Sequence, residues 1–229
     1  MNYDLFLLDL DDTLLDFKAS ERLSFDRTLQ KLGGAQSLDT LFAIYQRENE
    51  RLWKDFEANR IAKDFLKVER FRRAFTELKL ELDPEAASKI YLEALPETVV
   101  LIDGARELCE WLSRRGEVGI VTNGIQSVQE QRIKKSGLAG YIGFVCVSEQ
   151  AGFAKPDPRF FDYSVRQAKQ FTPDQTLMVG DRFDTDILGA HNFGIDCCWY
   201  NPGAQVPPSP RHPTYQIRHL ADLKSVIAG

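Results

Sequence analysis

The chain contains 229 residues, of which 43% are hydrophobic and 28% charged, and its formal net charge is −5. This composition is typical of a globular protein, and the acidic balance argues against binding to a nucleic-acid polymer. No apolar run approaches the roughly 20 residues that a membrane-spanning helix needs, and no secretory signal pattern is evident. We therefore expect a cytoplasmic protein with neither nucleic-acid nor membrane partners.

The cysteines show neither the spacing of a metal site nor that of a disulfide framework. They are Cys109, Cys146, Cys197 and Cys198. Because three of them lie in or beside apolar stretches, we predict buried free thiols.

The first predicted element is a short buried strand over residues 3–9, YDLFLLD, which is apolar on both faces. Residues 17–95 then show the apolar spacing of helices and contain no convincing strand. The sequence thus predicts an all-helical insert, residues 17–95, directly after the first strand.

Beyond residue 96, predicted strands alternate with predicted helices. The strands lie near residues 116–124, 142–148, 176–181 and 195–201, and the helices near 105–115, 128–136, 158–171, 185–194 and 219–228. This alternation predicts an α/β fold with a Rossmann-like, doubly wound, mostly parallel sheet. Residues 1–16 and 96–229 form this predicted core domain, and residues 205–213 are predicted as a proline-rich loop.

Acidic residues follow two of the predicted strands. Asp9 and Asp11 come after the first strand, and Asp181 ends the strand near 176–181. Ligands bind at the carboxyl ends of strands in open parallel sheets, and clustered carboxylates stay ionised only beside a compensating cation. Since oxygen ligands suit Mg²⁺, we predict an Mg²⁺ site made by the Asp9 and Asp181 side chains and the Asp11 backbone carbonyl.

The same edge of the sheet carries groups suited to covalent phosphoryl chemistry. Asp9 is a candidate nucleophile, and Asp11 a candidate general acid and base. Thr122 and Asn123 offer a hydroxyl and amides at the start of a helix, and Lys155 offers a positive charge for phosphate. The competing interpretations are helix capping for Thr122 and Asn123, and a solvated surface lysine for Lys155.

Two further acids follow Asp181. We predict that Asp184 is the N-cap of the next helix. For Asp186 two roles remain open: support for the metal and Lys155 from outside the ligand shell, or a first-turn acid favoured by the helix dipole.

Four motifs in this order resemble those of the haloacid dehalogenase-like hydrolase superfamily: DLDDT (9–13), VTNG (121–124), AKPDP (154–158) and VGDRFDTDI (179–187). The resemblance implies a helical cap for the insert and an aspartyl-phosphate mechanism that uses Mg²⁺. It also implies catalytic roles for Asp9 and Asp11, phosphate contacts from Thr122 and Lys155, and a supporting role for Asp186.

Asp11 distinguishes branches of that superfamily, because members that cleave carbon–halogen bonds lack an acid there. The chain therefore looks like a phosphatase of a small phosphorylated metabolite. Residues 122–138, 148–163 and 179–201 are similar to bacterial pyrimidine-nucleotide 5′-phosphatases. In the insert, Trp53 and Arg70 are candidates for substrate contact, and packing within the helical insert is the competing interpretation for both.

Two alternatives stay open. One is a sugar-phosphate or phosphoglycolate phosphatase of the same fold. The other is a phospho-accepting signalling module, against which both the helical insert and Asp11 argue.

Overall fold

The computed structural model describes residues 3–33, 38–208 and 210–228, and the other parts of the predicted domains and of the predicted loop lie outside the described residues. The chain divides into two compact units. The first comprises Met1–Phe17 and Val99–Gly229, and the second comprises Lys18–Thr98.

The described residues form six strands and ten α-helices. The strands are β1 (Leu5–Leu8), β2 (Glu117–Thr122), β3 (Phe144–Val147), β4 (Thr176–Gly180), β5 (Asp196–Tyr200) and β6 (Tyr215–Ile217). The helices are α1 (Phe17–Lys31), α2 (Leu38–Glu57), α3 (Lys63–Glu77), α4 (Pro84–Ala94), α5 (Ala105–Ser113), α6 (Gln126–Ser136), α7 (Ser148–Ala151), α8 (Pro158–Val165), α9 (Leu188–Phe193) and α10 (Leu223–Ala228).

All six strands join one parallel sheet in the order β3-β2-β1-β4-β5-β6. The chain builds the sheet outward from β1 to β3 on one side and from β4 to β6 on the other. The carboxyl ends of β1 and β4 therefore flank the topological switch point, where ligands bind in sheets of this kind. The predicted α/β class is confirmed.

Helices cover both faces of this sheet because its central strands are apolar on both sides. Phe6 and Leu8 of β1 pack with residues of α5, α6 and α10. Leu5 and Leu7 point to the opposite face and pack with residues of α8 and α9. This alternation along β1 follows from the two-residue period of a strand.

The second unit consists of α2–α4 and all of α1 except its first residue. Its interior contains a cluster of aromatic rings with centroids 4.8–6.4 Å apart. The rings belong to Phe25, Phe42, Tyr45, Phe71 and Tyr91.

The structure differs from the sequence-based expectation in several elements, among them the unpredicted four-residue helix α7. Strand β6 was not predicted, because its three residues are too few to show a periodic pattern. Helix α8 ends at Val165 and not near residue 171, because tighter i→i+3 bonds at Gln167 and Ala168 replace helical ones. All four cysteines are buried and free, as predicted. Within the described ranges, no helix is both long and apolar enough to cross a membrane.

Candidate active site

The parallel pairing of β1 and β4 brings two acids side by side. Leu8 is in register with Val179, and the amide of Asp9 donates to the carbonyl of Val179 at 2.9 Å. Asp181 follows β4 directly, so both acids emerge from the same edge at the switch point.

Three carboxylates meet at this edge. Asp9, Asp181 and Asp186 each offer an oxygen, and these oxygens lie within 4.8 Å of one another. Asp9 and Asp186 are buried, with 7% and 1% of their surfaces exposed. The set combines the two predicted side-chain ligands with the predicted supporting acid.

Lys155 lies among these carboxylates with only 2% of its surface exposed. Its Nζ is 2.5 Å from Asp9 Oδ1 and 2.7 Å from Asp186 Oδ1. It also donates to the carbonyl of Val121 at 2.7 Å. Lys155 is therefore not a solvated surface lysine, and the supporting role weighed for Asp186 fits its contact with Lys155.

The cluster carries more negative than positive charge. Burial raises the pKa of Asp9 to about 7, although Lys155 opposes the rise. Burial likewise raises the pKa of Asp181 to about 9, and the charge of Asp9 adds to the effect. Burial alone would lower the pKa of Lys155, but the carboxylates of Asp186 and Asp9 raise it above its ordinary value. An all-oxygen donor set with excess negative charge fits a hard divalent cation such as Mg²⁺.

Asn123 contributes to the site through the backbone of Lys155. Its side-chain Nδ2 donates to the Lys155 carbonyl at 3.0 Å, and its Oδ1 accepts from the Lys155 amide at 2.9 Å. These two bonds tie the loop that carries Lys155 to the end of β2. The predicted phosphate contact would thus come from the Asn123 backbone amide.

The residues that hold Asp181 were missed in the sequence reasoning. Thr13 Oγ1 accepts from the Asp181 amide at 3.0 Å and lies 3.3 Å from Asp181 Oδ1. The indole of Trp199 donates to the Asp181 carbonyl at 2.8 Å. Thr13 lies within the first motif, but neither contact is visible before β1, β4 and β5 pair.

A π-helical turn over Phe183–Ile187 orients Asp186. Asp186 Oδ2 accepts from the Arg182 amide at 3.0 Å. A Cβ on Gly180 would lie 2.2 Å from that oxygen, so only glycine permits this close approach. The predicted N-cap role of Asp184 is wrong, because Asp184 lies inside this turn and its carboxylate binds the Arg182 guanidinium at 2.6 and 3.1 Å.

The carboxylate of Asp11 is held by two residues of α6. Arg132 forms an ion pair with Asp11 Oδ1, and Gln129 Nε2 donates to Asp11 Oδ2 at 2.6 Å. The same nitrogen lies 3.0 Å from Thr122 Oγ1, so the candidate acid and base and the candidate phosphate hydroxyl share one neighbour. Sequence reasoning missed Gln129 and Arg132, and their spacing of three residues on a helix is the signal that was available.

The two residues predicted to contact substrate from the insert lie in the second unit. Arg70 is 1% exposed and binds Asn49 Oδ1 and the Lys67 carbonyl. Trp53 is partly exposed, and its ring meets Phe56 edge-on at 5.7 Å. Both substrate contacts stay predictions.

Comparison with known proteins identifies the family. The model of the haloacid dehalogenase-like hydrolase family matches residues 3–194. The pyrimidine 5′-nucleotidase PynA of Streptococcus pneumoniae is 36% identical over 97% of this chain and 94% of its own length. The pyrimidine 5′-nucleotidase YjjG of Escherichia coli is 30% identical over 99% of both chains.

A solved structure is similar over the same extent. The crystal structure of Bacillus subtilis YfnB bound to magnesium matches with a TM-score of 0.92 at 33% identity, covering 99% of each chain. The chain is therefore an enzyme of the haloacid dehalogenase-like hydrolase family, as its four motifs predict.

Proposed function

We propose that this enzyme is a Mg²⁺-dependent phosphomonoesterase that acts through an aspartyl-phosphate intermediate. Its substrates would be nucleoside or deoxynucleoside 5′-monophosphates, with a preference for pyrimidine bases. The buried cluster of Asp9, Asp181, Asp186 and Lys155 carries the reaction class. The names of two full-length relatives support the substrate class.

The metal would be held by the side chains of Asp9 and Asp181 and by the backbone carbonyl of Asp11. Asp186 would support the site through Lys155, which it contacts at 2.7 Å. When bound, Mg²⁺ supplies charge neutralisation for the phosphoryl oxygens.

In the first half of the reaction an Asp9 oxygen attacks phosphorus in line with the leaving group. The bond between Asp9 and phosphorus forms as the bond to the leaving oxygen breaks, and a protonated Asp11 gives its proton to that oxygen. Thr122 and the amide of Asn123 would bind phosphoryl oxygens, and Lys155 would neutralise their charge.

In the second half Asp11, now a carboxylate, takes a proton from water. The water oxygen bonds to phosphorus as the bond to Asp9 breaks, which releases inorganic phosphate and restores the Asp9 carboxylate and the protonated Asp11. The 30% exposure of the Asp11 side chain leaves it accessible to water.

Phosphate release tests this proposal. CMP, dUMP, dTMP, AMP, hexose phosphates and phosphoglycolate would be compared, with Mg²⁺ and with a chelator. We expect the highest kcat/KM for a pyrimidine nucleotide and no turnover in chelator. A preference for the sugar phosphates or phosphoglycolate would overturn the substrate class, and a long-lived phosphoprotein without phosphate release would favour a signalling module.

A further inference from the structure

Helix α6 presents two buried polar side chains to Asp11. Gln129 and Arg132 are each 1% exposed, and they lie one helical turn apart on the same face. Each binds a different oxygen of the Asp11 carboxylate. Because both oxygens are held by separate donors, rotation of the carboxylate about its Cβ–Cγ bond is restricted.

The two residues also bind each other. Arg132 Nη1 donates to Gln129 Oε1 at 2.9 Å, so the guanidinium fixes the orientation of the amide that holds Asp11. Through its contact with Thr122, Gln129 ties Asp11 to the end of β2. Asp11, Gln129, Arg132 and Thr122 thus form one hydrogen-bonded group.

The backbone leaves space for this arrangement at Gly124. A Cβ on Gly124 would lie 2.2 Å from Gln129 Nε2 and 2.6 Å from its Cδ. Any larger residue would push Gln129 away from Asp11 and Thr122. Glycine at this position therefore lets Gln129 keep its contacts with Asp11 and Thr122.

Arg132 is poorly explained as a stabilising residue. In the described part of the chain, its Nε and Nη2 are buried without a hydrogen-bond partner. Its guanidinium carbon lies 5.5 Å from the ring centroid of Phe17. Burying a charge with two unpaired donors costs stability, and the desolvation of a buried charge offsets much of the attraction that its ion pair supplies. The favourable interactions of Arg132 are its contacts with Asp11 and Gln129.

We propose that Arg132 and Gln129 are positioning residues that orient the Asp11 carboxylate for proton transfer. This inference rests on the proposed phosphatase reaction, in which Asp11 gives a proton to the leaving oxygen and later takes one from water. Both transfers require an oxygen of Asp11 at a defined place, because proton transfer demands hydrogen-bond contact.

Substrates with different leaving groups separate this role from a general one. p-Nitrophenyl phosphate has a leaving group that needs no proton, whereas CMP releases an alkoxide that does. Because kcat/KM reports the steps up to the first irreversible one, misplacing Asp11 lowers it for CMP and spares it for p-nitrophenyl phosphate. We expect Arg132→Met to lower kcat/KM for CMP by about 10- to 100-fold. The loss for p-nitrophenyl phosphate should stay below about 3-fold on the same grounds.

A double-mutant cycle with Asp11→Asn tests whether Arg132 acts through Asp11. Once Asp11→Asn has removed the acid, adding Arg132→Met should change kcat/KM for CMP by less than about 2-fold, because coupled residues are not additive. A purely structural role would lower activity by the same factor in both backgrounds, and that result would overturn the inference.

Three further variants complete the experiment. Gln129→Met should reproduce the leaving-group pattern, and Arg132→Lys should restore part of the loss because it keeps the positive charge. Lys134→Met removes an exposed cation from the same helix and should leave both substrates unaffected. Because the Asp11 side chain is 30% exposed, water can solvate the carboxylate that Arg132→Met leaves, and this variant should melt within about 4 °C of the wild type. If it fails to fold, Gln129→Met decides the matter alone.

Two negative outcomes are distinguishable. A wild-type enzyme that releases phosphate from CMP, combined with equal losses on both substrates in Arg132→Met and Gln129→Met, overturns the positioning role alone. A wild-type enzyme inactive on every phosphate ester overturns the proposed function and the positioning role together.

Discussion

Both units of the molecule bury charge, but they compensate it differently. In the second unit, Glu21 and Arg70 are joined through Asn49, which donates to Glu21 Oε1 at 2.9 Å and accepts from Arg70 at 3.1 Å. The Arg70 guanidinium also lies 4.6 Å from the ring centroid of Tyr91. The Asn49 amide therefore links one buried acid to one buried base.

At the edge of the sheet, Lys155 contacts the carboxylates of Asp9 and Asp186, and an Asp181 oxygen lies within 4.8 Å of oxygens of both. The raised pKa values of Asp9 and Asp181 reflect that imbalance together with burial. Burial of charge therefore does not by itself mark a functional site in this protein. An excess of negative charge at the edge of the sheet does indicate a functional site, because a positively charged ligand can compensate it.

The largest expected effect is on the candidate nucleophile. Asp9→Asn should lower kcat for CMP by about 10⁴-fold or more, because the amide cannot form the acyl phosphate. Circular dichroism should show a folded protein. Turnover at the wild-type rate would contradict the assignment of Asp9 as the nucleophile. It would also contradict the view that the carboxylates at the edge of the sheet form a catalytic site.

In the second unit, a change to the linked residues Glu21 and Arg70 should affect stability and not activity. Arg70→Met removes the buried guanidinium that Asn49 links to Glu21 and takes a donor away from the Asn49 side-chain oxygen, so the free energy of unfolding should fall by about 3–5 kcal/mol. Denaturant titration measures it. Adding Glu21→Gln should recover part of the loss, and the rise in melting temperature caused by Mg²⁺ should match that of the wild type.

A smaller effect is expected when one carboxylate is removed from the unbalanced cluster, which consists of Asp9, Asp181, Asp186 and Lys155. Asp181→Asn should raise the Mg²⁺ concentration for half-maximal activity by about 10- to 100-fold, since a proposed ligand is weakened. Asp184→Asn is the matched control, because Asp184 lies three residues away with 61% of its side chain exposed. Equal shifts in the two variants would mean that Asp181 is not a ligand.

The smallest expected effect is a pH dependence of stabilisation by Mg²⁺. A carboxyl group whose pKa is higher in the folded state binds protons more tightly there, so the metal-free protein loses stability as pH rises. For Asp9 this loss extends from pH 3.8, its ordinary pKa, to its raised pKa of about 7. For Asp181 it extends from pH 3.8 to its raised pKa of about 9.

Mg²⁺ competes with those protons for the carboxylates. Its effect on melting temperature should therefore be larger at pH 9 than at pH 6, and differential scanning fluorimetry measures it. Asp181→Asn should flatten the dependence. An equal stabilisation of the wild type by Mg²⁺ at both pH values would contradict the claim that this cluster has excess negative charge.

The sequence predicted the α/β class and the family because both depend on local signals. Strands such as residues 3–9 are continuous apolar runs, and the acids that follow them stand at fixed offsets in the four motifs. The helical character of residues 17–95 likewise follows from the spacing of apolar residues. By contrast, the three residues of β6 gave no pattern to recognise.

The sequence did not predict which of several neighbouring acids would contact the site and which would not. Asp12 is adjacent to Asp11, yet its Oδ1 accepts from the Phe17 amide at 3.0 Å at the start of α1. Asp184 and Asp186 are two residues apart, but only Asp186 reaches Lys155. Both lie within the π-helical turn, where the sequence predicted the start of an ordinary helix.

The sequence by itself therefore determined which residue types gather at the switch point, because motif order and strand ends are written along the chain. Only the tertiary structure decided the partner of each group: Lys155 between Asp9 and Asp186, Thr13 on Asp181, and Gln129 with Arg132 on Asp11. Four of these five contacts join residues more than 100 positions apart, and their distances of a few ångströms exist only after the strands have paired.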